Sequence, residues 1–274
     1  MTENVVIEAG QTERHYWRDL WTYRELFYIL SWRDIKVRYK QTVIGASWAV
    51  IRPLLTMIIF TVLFNIVGKV PPGVKAPYAL MVYAGLLPWT FFATALSESS
   101  NSLITNSNLI SKVYFPRMIV PTASVITSLV DFVISFVLIF ALYAYYKYLP
   151  DWHIFIMPFF LILAFISSIG VGLFVTALNV KYRDFRYIVP FIVQFGMYVS
   201  PVVINTSLVP ERWKYPFALN PMVGVIDGFR WCLLRGSQEL RWDLIAISSS
   251  VSFFFLWLGV RQFRNMEKSF ADII

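Results

Sequence analysis

Charged residues are absent from six long stretches of this chain, interrupted once. Pro53–Gly68 is uncharged, and Pro53 is expected to open its helix at the first helical position; the window reaches full spanning length if the helix begins near Ser47. Tyr78–Ser97 is a second window, and Met118–Tyr146 a third, broken only by Asp131. Ile154–Val180, Tyr187–Ile204 and Leu244–Val260 complete the set. A helix needs about 20 apolar residues to cross a bilayer. The last window has 17, about 26 Å of helix, and just spans. In lipid the backbone must satisfy its own polar groups, so such windows become helices. The pattern predicts an all-α integral membrane protein with six transmembrane helices.

The segments between windows carry their own patterns. In residues 19–39, Leu20, Tyr23, Phe27 and Leu30 follow a 3–4 spacing that Val37 extends, and charged residues fill the remainder. This predicts an N-terminal amphipathic helix at the membrane interface. Segment 98–117 opens with Ser99-Ser100-Asn101-Ser102 and ends at Pro116; it is polar enough to leave the lipid, either as a solvated loop or with a short helix capped by Asn106 or Asn108 that touches a partner. Segment 207–242 contains Asn220-Pro221, an N-cap followed by proline at the first helical position. A helix is expected over about 221–234, ended by Gly236 and preceded by a short apolar piece, Tyr215–Leu219. Such a pair is either re-entrant or a surface helix on the external face. Along the fourth window Ala164, Ser168, Gly172 and Thr176 form a small-residue stripe that suits close helix packing. The division is a polar tail over 1–18, one transmembrane domain over 19–265, and a tail over 266–274. No cleavable signal peptide is expected, since the first 18 residues hold no short apolar core.

Composition narrows the class. The 274 residues are 58% hydrophobic, 18% aromatic and 15% charged. A soluble domain carries about 25% charged residues. The net charge of +8 therefore reads as a preference for anionic lipid, not nucleic acid. With six spans both termini share one side. That side would hold 16 of the 24 Lys and Arg, which makes the termini cytoplasmic. One cysteine, Cys232, excludes an internal disulfide and a multi-cysteine metal site. His15 and His153 lie far apart, so no metal site is expected. Asp131 is either a buried structural acid satisfied by Ser124, Ser128 or Ser135, or a functional intramembrane carboxylate. There is no G-x-x-x-x-G-K-[ST], H-E-x-x-H or G-x-S-x-G sequence. No catalytic site is expected, and energy for uphill transport would come from a partner or an ion gradient.

Three motifs combine into a resemblance: Arg38-Tyr39-Lys40 with Gly45, Trp48 and Pro53; Asn108-Leu109-Ile110 with Lys112, Phe115 and Pro116; and Ser200-Pro201-Val202, Val209-Pro210, Asn220-Pro221 and Arg230. Their order and spacing, over about residues 20–265, resemble the membrane subunits of ABC-2 type exporters that move O-antigen, capsule or teichoic-acid polysaccharides. The resemblance implies a homodimer working with two separate ATP-binding cassette subunits in the bacterial inner membrane. This chain would bind no cofactor, with ATP and Mg held by the partner, and no nucleic acid. Its substrate would be a polyprenyl-pyrophosphate-linked glycan. Asn108, Leu109, Ile110, Lys112 and Phe115 would couple it to the ATPase, and Asn220, Pro221 and Arg230 would belong to an external re-entrant gate.

Sugar C–H faces stack on aromatic rings without the tight polar binding that would stop a chain from sliding. Tyr39, Trp48, Phe60, Phe64, Phe195 and Tyr198 are the channel candidates. A pyrophosphate needs fixed cations, and Arg38, Lys40 and Arg52 cluster before the first span; anionic lipid headgroups are the other claimant. Competing functions are an ABC-2 permease for a drug or small lipid, an intramembrane glycosyl- or acyltransferase using His153 beside Asp151, and an ion-coupled secondary transporter.

Overall fold

The computed structural model describes residues 16–40, 47–66, 76–203, 205–236, 239–267 and 270. Gly45 of the first motif lies outside them. Every one of the six windows contributes a helix, but their lengths differ. Five are long and apolar enough to cross a membrane. They are α3 (Ser47–Ile66), α4 (Tyr78–Thr105), α6 (Ile119–Tyr146), α7 (Met157–Lys181) and α11 (Trp242–Glu267). The fifth window yields α8 (Phe185–Val199), only 15 residues long. It stops at Ser200-Pro201, where extended backbone at Ser200 and the following proline end the helix.

The N-terminal interfacial helix is two pieces, α1 (Tyr16–Thr22) and α2 (Arg24–Lys40), joined by a tight turn at Tyr23. The face expected there packs on protein. Leu30 is buried, and Leu20, Tyr23, Leu26 and Phe27 lean on the same cluster. Val37, expected on that face, is exposed. The buried Ser31 donates to the Ala123 carbonyl at 3.4 Å, tying α2 to α6.

Pro53 does not open α3. The helix starts at Ser47, so Pro53 lies inside its second turn. A proline there cannot donate to the carbonyl four residues back, which is Ala49. Ser135 of α6 supplies the missing donor: its Oγ is 2.7 Å from the Ala49 carbonyl. The same hydroxyl lies 2.8 Å from the Asp131 carbonyl, so one proton serves two acceptors.

The polar run after residue 98 also differs from expectation. It does not leave the helix; α4 continues to Thr105. Its small polar side chains bond backward within the helix, Ser100 and Asn101 to the Ser97 carbonyl and Thr105 to that of Asn101. The short helix α5 (Ser107–Lys112) then begins, with Asn106 at its N-cap position.

α4 is the centre of the bundle. It packs against α6, α7, α10 (Pro221–Leu233), α3 and α8. The small stripe of α7 faces it, as expected of close packing. A Cβ on Gly172 would sit 2.9 Å from Ser99 Oγ, and Thr176 Oγ1 donates to the Ser99 carbonyl at 2.9 Å. On the other flank α7 meets α11 backbone to backbone. A Cβ on Gly259 would lie 2.1 Å from the Gly170 carbonyl oxygen, so only glycine fits. The start of α1 and the end of α11 meet the α5–α6 turn: Glu267 accepts from the Arg117 amide at 2.7 Å and from Tyr16 at 3.4 Å.

Candidate transport surface and coupling elements

The short apolar helix α8 exposes a row of aromatic rings. On α8, Val189 is buried, and Val193 and Met197 pack on the core. Gly196 sits over Trp89 of α4, where a Cβ would come within 2.7 Å of the indole. That packing fixes the rotation of the helix. Spacings of four, four and three residues then put Tyr187, Phe191, Phe195 and Tyr198 on the opposite side (79, 58, 51 and 64% exposed). The Phe191 and Phe195 rings are 4.2 Å apart between centroids. Phe195 and Tyr198 were expected from the sequence; Tyr187 and Phe191 complete the row, and the helical spacing alone would have found them.

The other channel candidates divide. Trp48 is exposed near the start of α3, beside an apolar face that includes Leu55, Ile59 and Val62. Phe60 and Phe64 turn the other way, onto the core, Phe64 with its ring centroid 5.2 Å from that of Tyr78.

Tyr39 and Arg38 meet Asp131. Arg38 pairs with Asp131 and, at 2.9 Å, with Glu98 of α4; the Tyr39 hydroxyl donates to the other Asp131 oxygen. The serines expected to satisfy Asp131 do not. Ser124 and Ser128 bond their own helix, to the carbonyls of Val120 and Ser124. Desolvation and the Asp131 carboxylate hold the Tyr39 phenol well above its usual range, so it stays a neutral donor. The arrangement ties α2 to α4 and α6 through charge. Lys40 and Arg52 are exposed and have no ion partner among the described residues.

The α5 elbow splits its five named residues into two roles. Ile110 and Phe115 are buried in the cluster shared with Leu30 and Phe263, and Leu109 packs on its edge. Asn108 and Lys112 are exposed, followed by exposed Val113 and Tyr114. Asn106 holds the elbow to α2: its side-chain oxygen accepts from Arg33 Nη2 at 2.7 Å, while its amide nitrogen donates to the Ser102 carbonyl.

At the opposite end α9 (Glu211–Ala218) leads into α10. Asn220 caps α10, accepting from the Met222 amide at 3.0 Å and donating to Ser200 Oγ at 2.8 Å. Pro221 fills the first helical position. α10 is enclosed by α4, α7 and α11. Arg230 is fully buried, its guanidinium donating to the carbonyls of Met81 at 3.2 Å and Val202 at 2.6 Å. Gly85 makes the room: a Cβ there would be 3.0 Å from Nη2. Surface ion pairs join α9 to the start of α11, and hydrogen bonds from Lys214 and Arg241 lower the pKa of Glu211. His153 lies against Trp231, rings 4.4 Å apart, and is 3.1 Å from Asp151. Asp151 also caps the turn at Trp152, which is a structural arrangement.

Five spanning-length helices and an enclosed short helix among the described residues define a polytopic helical membrane protein. The chain belongs to the ABC-2 type transporter family, whose pattern it matches over residues 25–234. It is 28% identical to an O-antigen export system permease protein of Myxococcus xanthus, covering 94% of this chain and 98% of that one. A Klebsiella pneumoniae protein of the same description is 28% identical, over 91% and 95% of the two chains. The polysialic acid transport protein of Escherichia coli is 21% identical, over 86% and 92%.

Proposed function

We propose that this chain is the permease half of a bacterial inner-membrane ABC transporter that exports a polyprenyl-pyrophosphate-linked polysaccharide, with both termini cytoplasmic. Its near end-to-end likeness to O-antigen permeases supports the substrate class. The observation that carries the reading is the α8 row of Tyr187, Phe191, Phe195 and Tyr198. A row of rings offers repeated, equivalent stacking sites. A glycan can advance by one site without losing all contact at once, as a processive substrate requires.

Two copies pair so that α3 and α8, both leaning on α4, face a shared pore. A separate ATPase, holding ATP and Mg, docks where α2 and α5 meet, on Asn108, Lys112, Val113 and Tyr114. Ile110 and Phe115 anchor that docking elbow to the bundle. Asn220, Pro221 and Arg230 set the outer gate. Arg38 already has two carboxylate neighbours, so Lys40 and Arg52 are the cations open to a pyrophosphate.

The test is deletion of the gene followed by analysis of cell fractions. Lipid-linked glycan should accumulate on the inner side of the membrane and vanish from the surface. Normal surface glycan with no internal accumulation overturns the reading.

A further inference from the structure

We propose that the C-terminal half of α11 carries a binding site for an anionic phospholipid headgroup, separate from the path of the transported substrate. A groove of about 830 Å³ runs along this half of the helix, lined by Phe253, Leu256, Trp257, Val260, Arg261 and Arg264. These residues repeat at intervals of three, one, three, one and three, a single helical face. The face changes character along its length. Its upper part is apolar and aromatic, and its last turn is doubly cationic.

The cations are held in place. The Arg261 guanidinium lies 5.2 Å from the Trp257 ring centroid, and that of Arg264 lies 4.6 Å from Tyr16 of α1. Neither has a carboxylate partner among the described residues. The nearest acid in sequence, Glu267, is turned to the Arg117 amide and the Tyr16 hydroxyl. Phe253 and Trp257 are both more than half exposed. A fixed positive edge below an open aromatic strip matches one ligand chemistry: a phosphate with acyl chains attached. Basic pockets beside membrane helices bind anionic headgroups on this principle, and Trp at the interface supports them.

Placement argues for a bulk lipid and against the transported one. α11 packs chiefly on α7, α9 and α10, whereas α3 and α8 pack chiefly on α4, with α8 also touching α7. The groove therefore lies on a helix that is not a main neighbour of the one bearing the aromatic row. Its assignment to the cytoplasmic leaflet rests on the orientation proposed above; lipid binding itself needs only that α11 crosses the bilayer.

The experiment uses the purified full-length chain and native mass spectrometry, titrating phosphatidylglycerol against a phosphatidylcholine background. Arg261→Gln/Arg264→Gln should need roughly thirtyfold more phosphatidylglycerol for equal occupancy, at about 1 kcal/mol per arginine, with phosphatidylcholine binding unchanged. In parallel, a photoactivatable phosphatidylglycerol should cross-link the wild-type chain within 253–264, which needs no variant to fold. Equal retention by both chains, or cross-links elsewhere only, overturns the site. So does a lipid-independent disulfide between two copies carrying Trp257→Cys, or displacement of phosphatidylglycerol by a polyprenyl pyrophosphate. Labelling of Asn265→Cys by an impermeant thiol reagent in cells reports orientation separately, so an inverted chain and an absent site give different results.

Discussion

Asp131 shows how a single residue can be misjudged and still be flagged correctly. A carboxylate inside a span demands a partner. The serines on its own helix were the local answer, but hydroxyls four residues apart prefer their own backbone, as Ser124 and Ser128 do. The partners, Arg38 and Tyr39, come from more than ninety positions away. Sequence marks both halves, an acid without a neighbour and a cation cluster before the first span; only the fold brings them together. Removing one member leaves the other half-buried with one partner fewer, keeping only Glu98 for Arg38 and Tyr39 for Asp131. Arg38→Ala and Asp131→Ala should each destabilise the chain, and the double variant should cost less than their sum. A coupling of about 1 kcal/mol or more is expected from a thermal-unfolding double-mutant cycle; strict additivity would dissolve the pair. On α8, Phe191→Ala or Phe195→Ala should lower surface glycan several-fold at unchanged protein level. Replacement by Tyr should preserve export if stacking is what matters.

At the scale of elements, the boundaries that sequence marked well are those with local chemistry. Asn220-Pro221 starts α10 where capping rules place it, and the apolar windows locate every long helix. Misses occur where the deciding atom belongs to another helix. Pro53 looks like a first residue because proline inside a helix leaves a carbonyl bare. Ser135, on a different span, covers that carbonyl. Ser135→Ala should therefore destabilise by about 1–3 kcal/mol, the cost of a buried acceptor left unsatisfied. Pro53→Ala restores the in-helix amide and should rescue most of that loss, measurable by thermal unfolding in detergent. The polar end of α4 misled for the opposite reason: its serines and asparagines satisfy themselves inside the helix, so polarity did not mean a loop. At the α7–α11 crossing, Gly259→Val drives a side chain into the Gly170 carbonyl. It should separate these helices and reduce the yield of folded protein, while Gly259→Ala should be milder though still harmful.

For the whole molecule, helix count and class were legible because lipid leaves few alternatives for an apolar run. Which helix is central was not. α4 is no more apolar than its neighbours, yet it is the most enclosed of the spanning helices. Its burial follows from packing partners that no single segment encodes. Quaternary expectations can be tested on the same frame. Cys232 is the only cysteine and is buried, so introduced cysteines report cleanly. Cysteine at Phe195 or Trp48 should cross-link two copies if α3 and α8 border a shared pore; cross-linking only at Trp257 would move the interface to the other flank. Lys112→Glu with Tyr114→Ala should weaken ATPase co-purification and export together, with the fold intact.

The centrality of α4 has a mechanical meaning. It has 28 residues, about 42 Å at 1.5 Å per residue, longer than the hydrocarbon is thick. Its lower end carries the Asn106 elbow, clasped by Arg33; its upper end gives the Met81 carbonyl to Arg230. The helix is held at both ends and packed along its length, and Pro88 in its interior marks the point at which it can bend. On the docking proposed above, one helix joins the elbow to the Met81–Arg230 contact on the far face, with a single proline joint at Pro88 between them.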